Sequence, residues 1–180
     1  MGSLEFKLVT KQVGETSFDC GVDSINEYVR KSYYPTIAQH AYAYSICSGD
    51  KVLGYYQVYF KEILLEDFPE EISDYQSEIK DGKITAAHIR FLAIDKQYHR
   101  NKIGTKTLES IIKEVKTFSK VWPIRVITID ARDDLVEWYK NEGFKLMINN
   151  TVGQDGVSTA MFFDCMNYYN ELNEFECMVC

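Results

Sequence analysis

The sequence predicts a single α/β (α+β) domain, built as one mixed sheet with helices on both faces. Three observations carry that expectation. Apolar, strand-like runs and amphipathic helical runs follow one another in the order β-α-α-β-β-β-α-β-α-β-β. At 180 residues the chain has ordinary domain size and can bury a full core. With 46% hydrophobic and 26% charged residues, it is globular rather than disordered in composition. No internal repeat, low-complexity tract or linker divides residues 1–180.

Phe6 to Gln12 reads as the first strand. Asp23 to Tyr33 reads as a helix, with Asp23 or Ser24 as cap and Ile25, Tyr28 and Val29 on one face. Pro35 ends or interrupts it, and a second short helix follows through Gln39. Ala41–Cys47 and Val52–Ile63 read as a hairpin around Ser48-Gly49-Asp50-Lys51. Ile84 to Ile94 is a long central strand. Ile103 to Phe118 is the strongest helix, with Ile103, Leu108, Ile111, Ile112, Val115 and Phe118 as its apolar stripe. Pro123–Ile129 is the next strand and Asp134–Glu142 the next helix. Phe144–Asn149 and Ser158–Asp164 read as final strands paired around Gly153 and Gly156. The aromatic, acidic tail after Cys165 carries no element assignment.

Arg90 to Gly104, RFLAIDKQYHRNKIG, is the most informative stretch. It joins a buried strand, a polar loop and the first turn of a helix. A loop that feeds backbone N–H groups into a helix N-terminus is an anion site, suited to a phosphate or pyrophosphate.

This strand–loop–helix resembles the cofactor motif of the GNAT N-acetyltransferase superfamily, Q/R-x-x-G-x-G/A. The matching residues are His99, Lys102, Gly104 and Thr105, with one glycine kept. LVEWYKNEGFKLM resembles the superfamily's helix–turn–strand, and Gly143 fits the position just past a helix end. FDCGVDSINEYV resembles the F-x-C-G-x-x-x-L-x-x-(aromatic)-L segment of the branch that includes toxins of toxin–antitoxin pairs. The resemblance covers roughly Phe18 to Phe163. It implies a GNAT-like, mostly antiparallel sheet with a splayed cleft between two central strands that admits acetyl-CoA.

The same resemblance implies site residues. Leu92, Ala93 and Ile94 would bind the pantetheine arm through their backbone. The amides of His99, Arg100, Asn101, Lys102, Ile103, Gly104 and Thr105 would hold the pyrophosphate, with Arg100, Asn101 and Lys102 adding side chains. Tyr139 takes the place of the family's helix tyrosine beside the cofactor sulfur. Acetyl transfer needs a neutral amine, a donor for the developing oxyanion and a proton for the departing thiolate. A phenol with a pKa near 10 can supply that proton. A bulge in Arg90–Ile94 would free an amide for the oxyanion. His88 aligns with the Glu of several members, and an imidazole suits a general base near neutral pH. It is also the kind of lone strand histidine that serves structure. Arg132 stands where a polar residue is usual and could reach the phosphates.

Net charge −7 argues against a broad nucleic-acid-binding face. The acid concentrated in Glu62–Asp81 reads as a solvated surface or as a lure for a cationic amine. The five cysteines have no metal-site spacing, so no metal is expected and reduced thiols are the simplest reading. The N-terminus lacks a signal-peptide core and no apolar run approaches about 18 residues, so a cytoplasmic protein without a membrane span is expected. The expectation is an acetyl-CoA-dependent N-acetyltransferase acting on a primary amine. The alternatives are a toxin that acetylates aminoacyl-tRNA, and a non-catalytic CoA-binding or interaction module. tRNA, an antitoxin and a second copy in a homodimer are compatible partners.

Overall fold

Strand β1 (Glu5–Leu8) opens an eight-stranded sheet. A computed structural model describes residues 3–14, 17–69, 72, 80–148, 152–153 and 156–165. Helices α1 (Asp23–Lys31) and α2 (Tyr33–Ile37) follow, then β2 (Tyr42–Ser48), β3 (Lys51–Leu64) and β4 (Lys83–Ile94). Helix α3 (Ile103–Ser119), β5 (Ile124–Arg132), helix α4 (Val136–Asn141), β6 (Lys145–Leu146), β7 (Val152–Gly153) and β8 (Gly156–Asp164) complete the described chain. The sheet order is β1-β2-β3-β4-β5-β8-β6, with β7 hairpinned onto β8. Only β4 and β5 run parallel, because α3 crosses between them; every other recorded pair is antiparallel.

Consecutive residues of one strand fall into different cores, which shows that both sheet faces are covered. Tyr56 packs with Ile103, Leu108, Ile111 and Val115 of α3. Its neighbour Tyr55 packs with Val29 of α1, Phe91 and Ala93. The α3 stripe is buried as its 3.6-residue period requires, and burying each such aliphatic side chain stabilises by roughly 1.5–3 kcal/mol. Phe118 and Ile112 belong to that stripe by sequence, but Phe118 is 48% exposed at the helix's end.

Several boundaries differ from the sequence reading for physical reasons. α1 takes no cap from Asp23 or Ser24: Val22 occupies the cap position, and no side chain caps the helix. Pro35 does not separate the helices. It lies in the first turn of α2, where its missing N–H goes unused, and the break falls at Ser32, whose hydroxyl donates to Val29 O at 2.7 Å. β5 runs on to Arg132 because β8 pairs it that far, Arg132 opposite Ser158. α4 begins later than expected, after a 3₁₀ turn at Asp133–Leu135. Of the acidic run Glu62–Asp81, residues 70, 71 and 73–79 lie outside the described residues, as does everything after Cys165, including Cys177 and Cys180.

Candidate active site

The parallel ladder between β4 and β5 stops halfway. It pairs Thr85 through Ile89 with Ile124 through Ile129 and ends there. Beyond it, β4 bonds only β3 and β5 bonds only β8. The parting begins at a bulge. Gln57 faces Phe91 while the next residue, Val58, faces Ile89, so Arg90 is the extra residue of β4. Among the described residues no strand pairs that edge of β4 from Arg90 to Ile94, and apart from Ile94 O, which His99 occupies, it is open to an extended ligand, as to an added strand.

A cleft of about 750 Å³ occupies this split. Leu92, Ala93 and Ile94 form one side of it, and His99, Arg100, Lys102, Ile103, Gly104 and Thr105 form its end. Asn101 is the one expected cofactor contact outside the lining; its amide turns back to donate to Tyr98 O at 3.2 Å and His99 O at 3.3 Å. His99 also serves the loop, with Nε2 donating to Ile94 O at 2.9 Å.

The loop takes left-handed backbone at two residues that are not glycine. Arg100 (φ 64°) and Lys102 (φ 57°) both sit in the left-handed region. Such a residue is strained by about 1–3 kcal/mol and persists where the surroundings over-determine it. Helix α3 then starts at Ile103 with no side-chain cap and no acidic residue in its first turn. Its first N–H groups have no intrahelical acceptor and face the cleft end. The positive end of the helix dipole and Lys102 both favour an anion there. Gly104 has ordinary φ, and an added Cβ would stand 3.7 Å from the Trp138 ring, a normal contact. Protein packing thus tolerates a methyl at 104, and the glycine keeps room for something in the cleft. The residues present fit a pyrophosphate.

Tyr139 comes from α4 on the far side of the split and lines the cleft. Its ring is 3% exposed, fixed edge-on by Trp138 (4.6 Å) and Phe144 (5.4 Å). Its hydroxyl makes no hydrogen bond to the described residues. Burial raises its pKa above the usual 10, so the phenol stays protonated at neutral pH. Helix α4 is tied to the first turn of α3 by Thr105 Oγ1, which donates to Glu142 Oε1 at 2.9 Å. Gly143 (φ 91°) then turns the chain into β6. Arg132 lines the cleft, but its guanidinium is gripped by Asp134 in two bonds of 3.0 and 3.2 Å.

His88 lies elsewhere. It sits inside the closed half of the ladder, opposite Thr128, and is not part of the cleft lining. Nδ1 contacts Thr128 Oγ1 at 2.9 Å, and Tyr59 packs edge-on against the ring at 5.0 Å. Asp130 Oδ2 is 3.9 Å from Nε2, too far for a hydrogen bond. Burial first, then the charge of Lys61, push the imidazole pKa well below 6.5. The ladder holds together one residue beyond His88, which keeps this candidate base out of the cleft lining.

Sequence reasoning missed one part of the cleft wall. Cys20, Gly21, Val22 and Ile25 line it, as do Tyr98, Leu135 and Trp138 elsewhere in the cleft. The F-D-C-G segment and the aromatic pair Trp138-Tyr139 were the available signals.

The sequence model of the acetyltransferase (GNAT) domain matches residues 72–162, half of the chain. The chain belongs to the GNAT acetyltransferase family. Acetyl-CoA is the cosubstrate of that family, and the chain is an N-acetyltransferase by membership. No curated protein matches it by sequence. Among solved structures, a Tyr-to-Phe mutant of KacT shares the fold with a TM-score of 0.75 at 20% identity, over 97% of this chain and 98% of that one. AtaT complexed with acetyl-methionyl-tRNAfMet gives 0.72 at 19%, over 99% and 100%. AtaTR bound with acetyl-CoA gives 0.70 at 21%, over 98% of each. Among the described residues, no helix is long and apolar enough to cross a membrane.

Proposed function

We propose that this acetyltransferase carries the acetyl group of acetyl-CoA to a primary amine inside the β4–β5 split. The single observation that carries the reading is an uncapped α3 N-terminus and a released β4 edge opening on one cleft with Tyr139. The first-turn amides of α3, with Lys102, hold the pyrophosphate; the edges of Leu92, Ala93 and Ile94 hold the pantetheine arm. Bonded so, the thioester carbonyl meets a β4 amide freed near the Arg90 bulge, which stabilises the oxyanion. The amine nitrogen attacks, the C–S bond breaks, and the Tyr139 hydroxyl donates its proton to the leaving sulfur. The proton lost by the amine returns to the phenolate through water. In this reading no side chain of the cleft acts as base, and His88 is structural.

A second reading names the amine as that of an aminoacyl-tRNA, and specific contacts favour it. At the bulge, Arg90 stacks over Tyr59 at 5.0 Å, and Tyr59 stacks on His40 at 6.2 Å, with Lys61 on the same strand face. Rings flanked by cations suit a nucleotide. AtaT, bound to acetyl-methionyl-tRNAfMet, has this fold. An antitoxin partner, a cytoplasmic location and a homodimer accompany this second reading.

Thiol release from acetyl-CoA, measured against polyamines, aminoglycosides, peptides and charged tRNA, tests both. Release with any amine supports the transferase; release confined to charged tRNA, with growth arrest on expression that Tyr139→Phe reverses, selects the second reading. Binding of CoA without release for any amine would instead leave a non-catalytic CoA-binding module.

A further inference from the structure

The Phe18-Asp19-Cys20-Gly21 segment has no part in the transfer just described, yet its bonds are unusually complete. Phe18 is pinned edge-on against Tyr55 at 5.0 Å. Gly21 (φ 85°) turns the chain so that its N–H donates to Asp19 Oδ1 at 2.8 Å. The Asn26 side chain donates to the same oxygen at 3.0 Å and accepts from Cys20 N at 3.0 Å. The other side of Asp19 reaches across 76 residues. Its N–H donates to Asp95 Oδ2 at 3.1 Å, its carbonyl accepts from Lys96 N at 2.9 Å, and its carboxylate pairs with Lys96 Nζ. Asp95 is 5% exposed, and its second oxygen takes the Gln97 N–H at 2.9 Å, fixing the turn that leads to His99.

The geometry points to Asp19 as a positioning residue that bolts the α1-side wall of the cleft to the start of the pyrophosphate loop. The inference rests on the acetyl-CoA reading for its consequence, but not for its structure. The loop carries two left-handed non-glycine residues, so it needs an external hold, and the clasp at Asp95–Lys96 is where that hold enters. Cys20 to Val22, which follow Asp19 directly, line the cleft, so the same residue joins part of that lining to the start of the loop. Lys96, and then Asn26 and Gly21, hold the Asp19 carboxyl well below the usual carboxylate range, so the clasp is charged throughout the neutral range.

The test compares two donors. Acetyl-CoA uses the loop; acetyl-pantetheine, which lacks the pyrophosphate, does not. Asp19→Ala is expected to raise KM for acetyl-CoA about tenfold, the size of one or two lost charge-assisted bonds, and to leave KM for acetyl-pantetheine unchanged. Asp19→Asn keeps the acceptor for Gly21 and Asn26 but loses the ion pair; it should fall between, about two- to fivefold. Equal losses with both donors, or no loss, overturn the inference and leave Asp19 a plain fold contact. Hydrogen exchange needs no turnover. In Asp19→Ala, the amides of Lys96, Gln97 and Tyr98 should exchange about tenfold faster, while Leu108 to Val115 of α3 stay as they were. Unchanged loop exchange sinks the brace even if the enzyme is active. Faster loop exchange in a protein that never turns over acetyl-CoA would keep the brace and sink the proposed reaction.

Discussion

The two halves of the β4–β5 pair hold the two buried titratable side chains that the sequence offers for catalysis, and they treat them in opposite ways. In the closed half, His88 is opposed by Thr128, partnered, and cut off from the cleft. In the open half, the ladder is gone, and Tyr139 lines the space left behind, its hydroxyl without a hydrogen bond among the described residues. Both groups are desolvated and both are held neutral, His88 by a lowered pKa and Tyr139 by a raised one. Burial and neutrality alone therefore do not tell the two apart. What separates them is whether the backbone beside them is already paired.

Variants can break this contrast, and the largest effect is expected in the open half. Tyr139→Phe removes only the proton donor; turnover should fall by about 10²–10⁴-fold with acetyl-CoA affinity intact. Calorimetry beside steady-state rates reads both, and an unchanged rate returns Tyr139 to packing. Next comes Gly104→Ala. The methyl meets only ordinary contact with Trp138, so the fold should hold or gain up to about 1 kcal/mol in helix propensity. Acetyl-CoA binding should weaken about tenfold, since one factor of ten is roughly 1.4 kcal/mol. A melting temperature that falls along with affinity would mean the glycine serves packing instead.

The closed half should answer in stability rather than in rate. The folded pKa of His88 lies below its ordinary value of 6.5, so protonation favours the unfolded chain. The stability it contributes is present above pH 6.5 and is lost as pH falls from there toward about 4. His88→Asn should flatten that part of the stability–pH curve in denaturant titrations and leave the shape of the pH–rate profile alone. A lost acid limb in the rate profile would make His88 the base after all. The smallest change is Lys102→Gly. Relief of the left-handed backbone should stabilise by about 1 kcal/mol, and the lost charge should weaken acetyl-CoA by no more than about fivefold.

Much of the open half was legible. A buried strand, a polar loop and an amphipathic helix state their own order, and the W-Y-K-N-E-G-F run places Tyr139 one helix and one strand later. The apolar stripe of α3 needed only its period. The termination of the ladder at Ile89 and Ile129 was not legible, because it depends on an extra residue at Arg90 and on β8 claiming the far edge of β5. His88 and Arg90 are two residues apart in sequence, so no local pattern separates the closed half from the open one. Nor could residue type reveal the left-handed backbone at Arg100 and Lys102, where the fold overrides the preference for glycine. The start of α1 misled for a similar reason: Asp23 and Ser24 look like caps, while Asn26 satisfies the approaching chain from within the helix.

A crystal structure with acetyl-CoA bound tests the central claim most directly. The account predicts pyrophosphate oxygens within hydrogen-bond reach of the Ile103, Gly104 and Thr105 amides, with the pantetheine arm against β4 and its sulfur beside the Tyr139 hydroxyl. A cofactor lodged anywhere else, with those amides facing water, would contradict it.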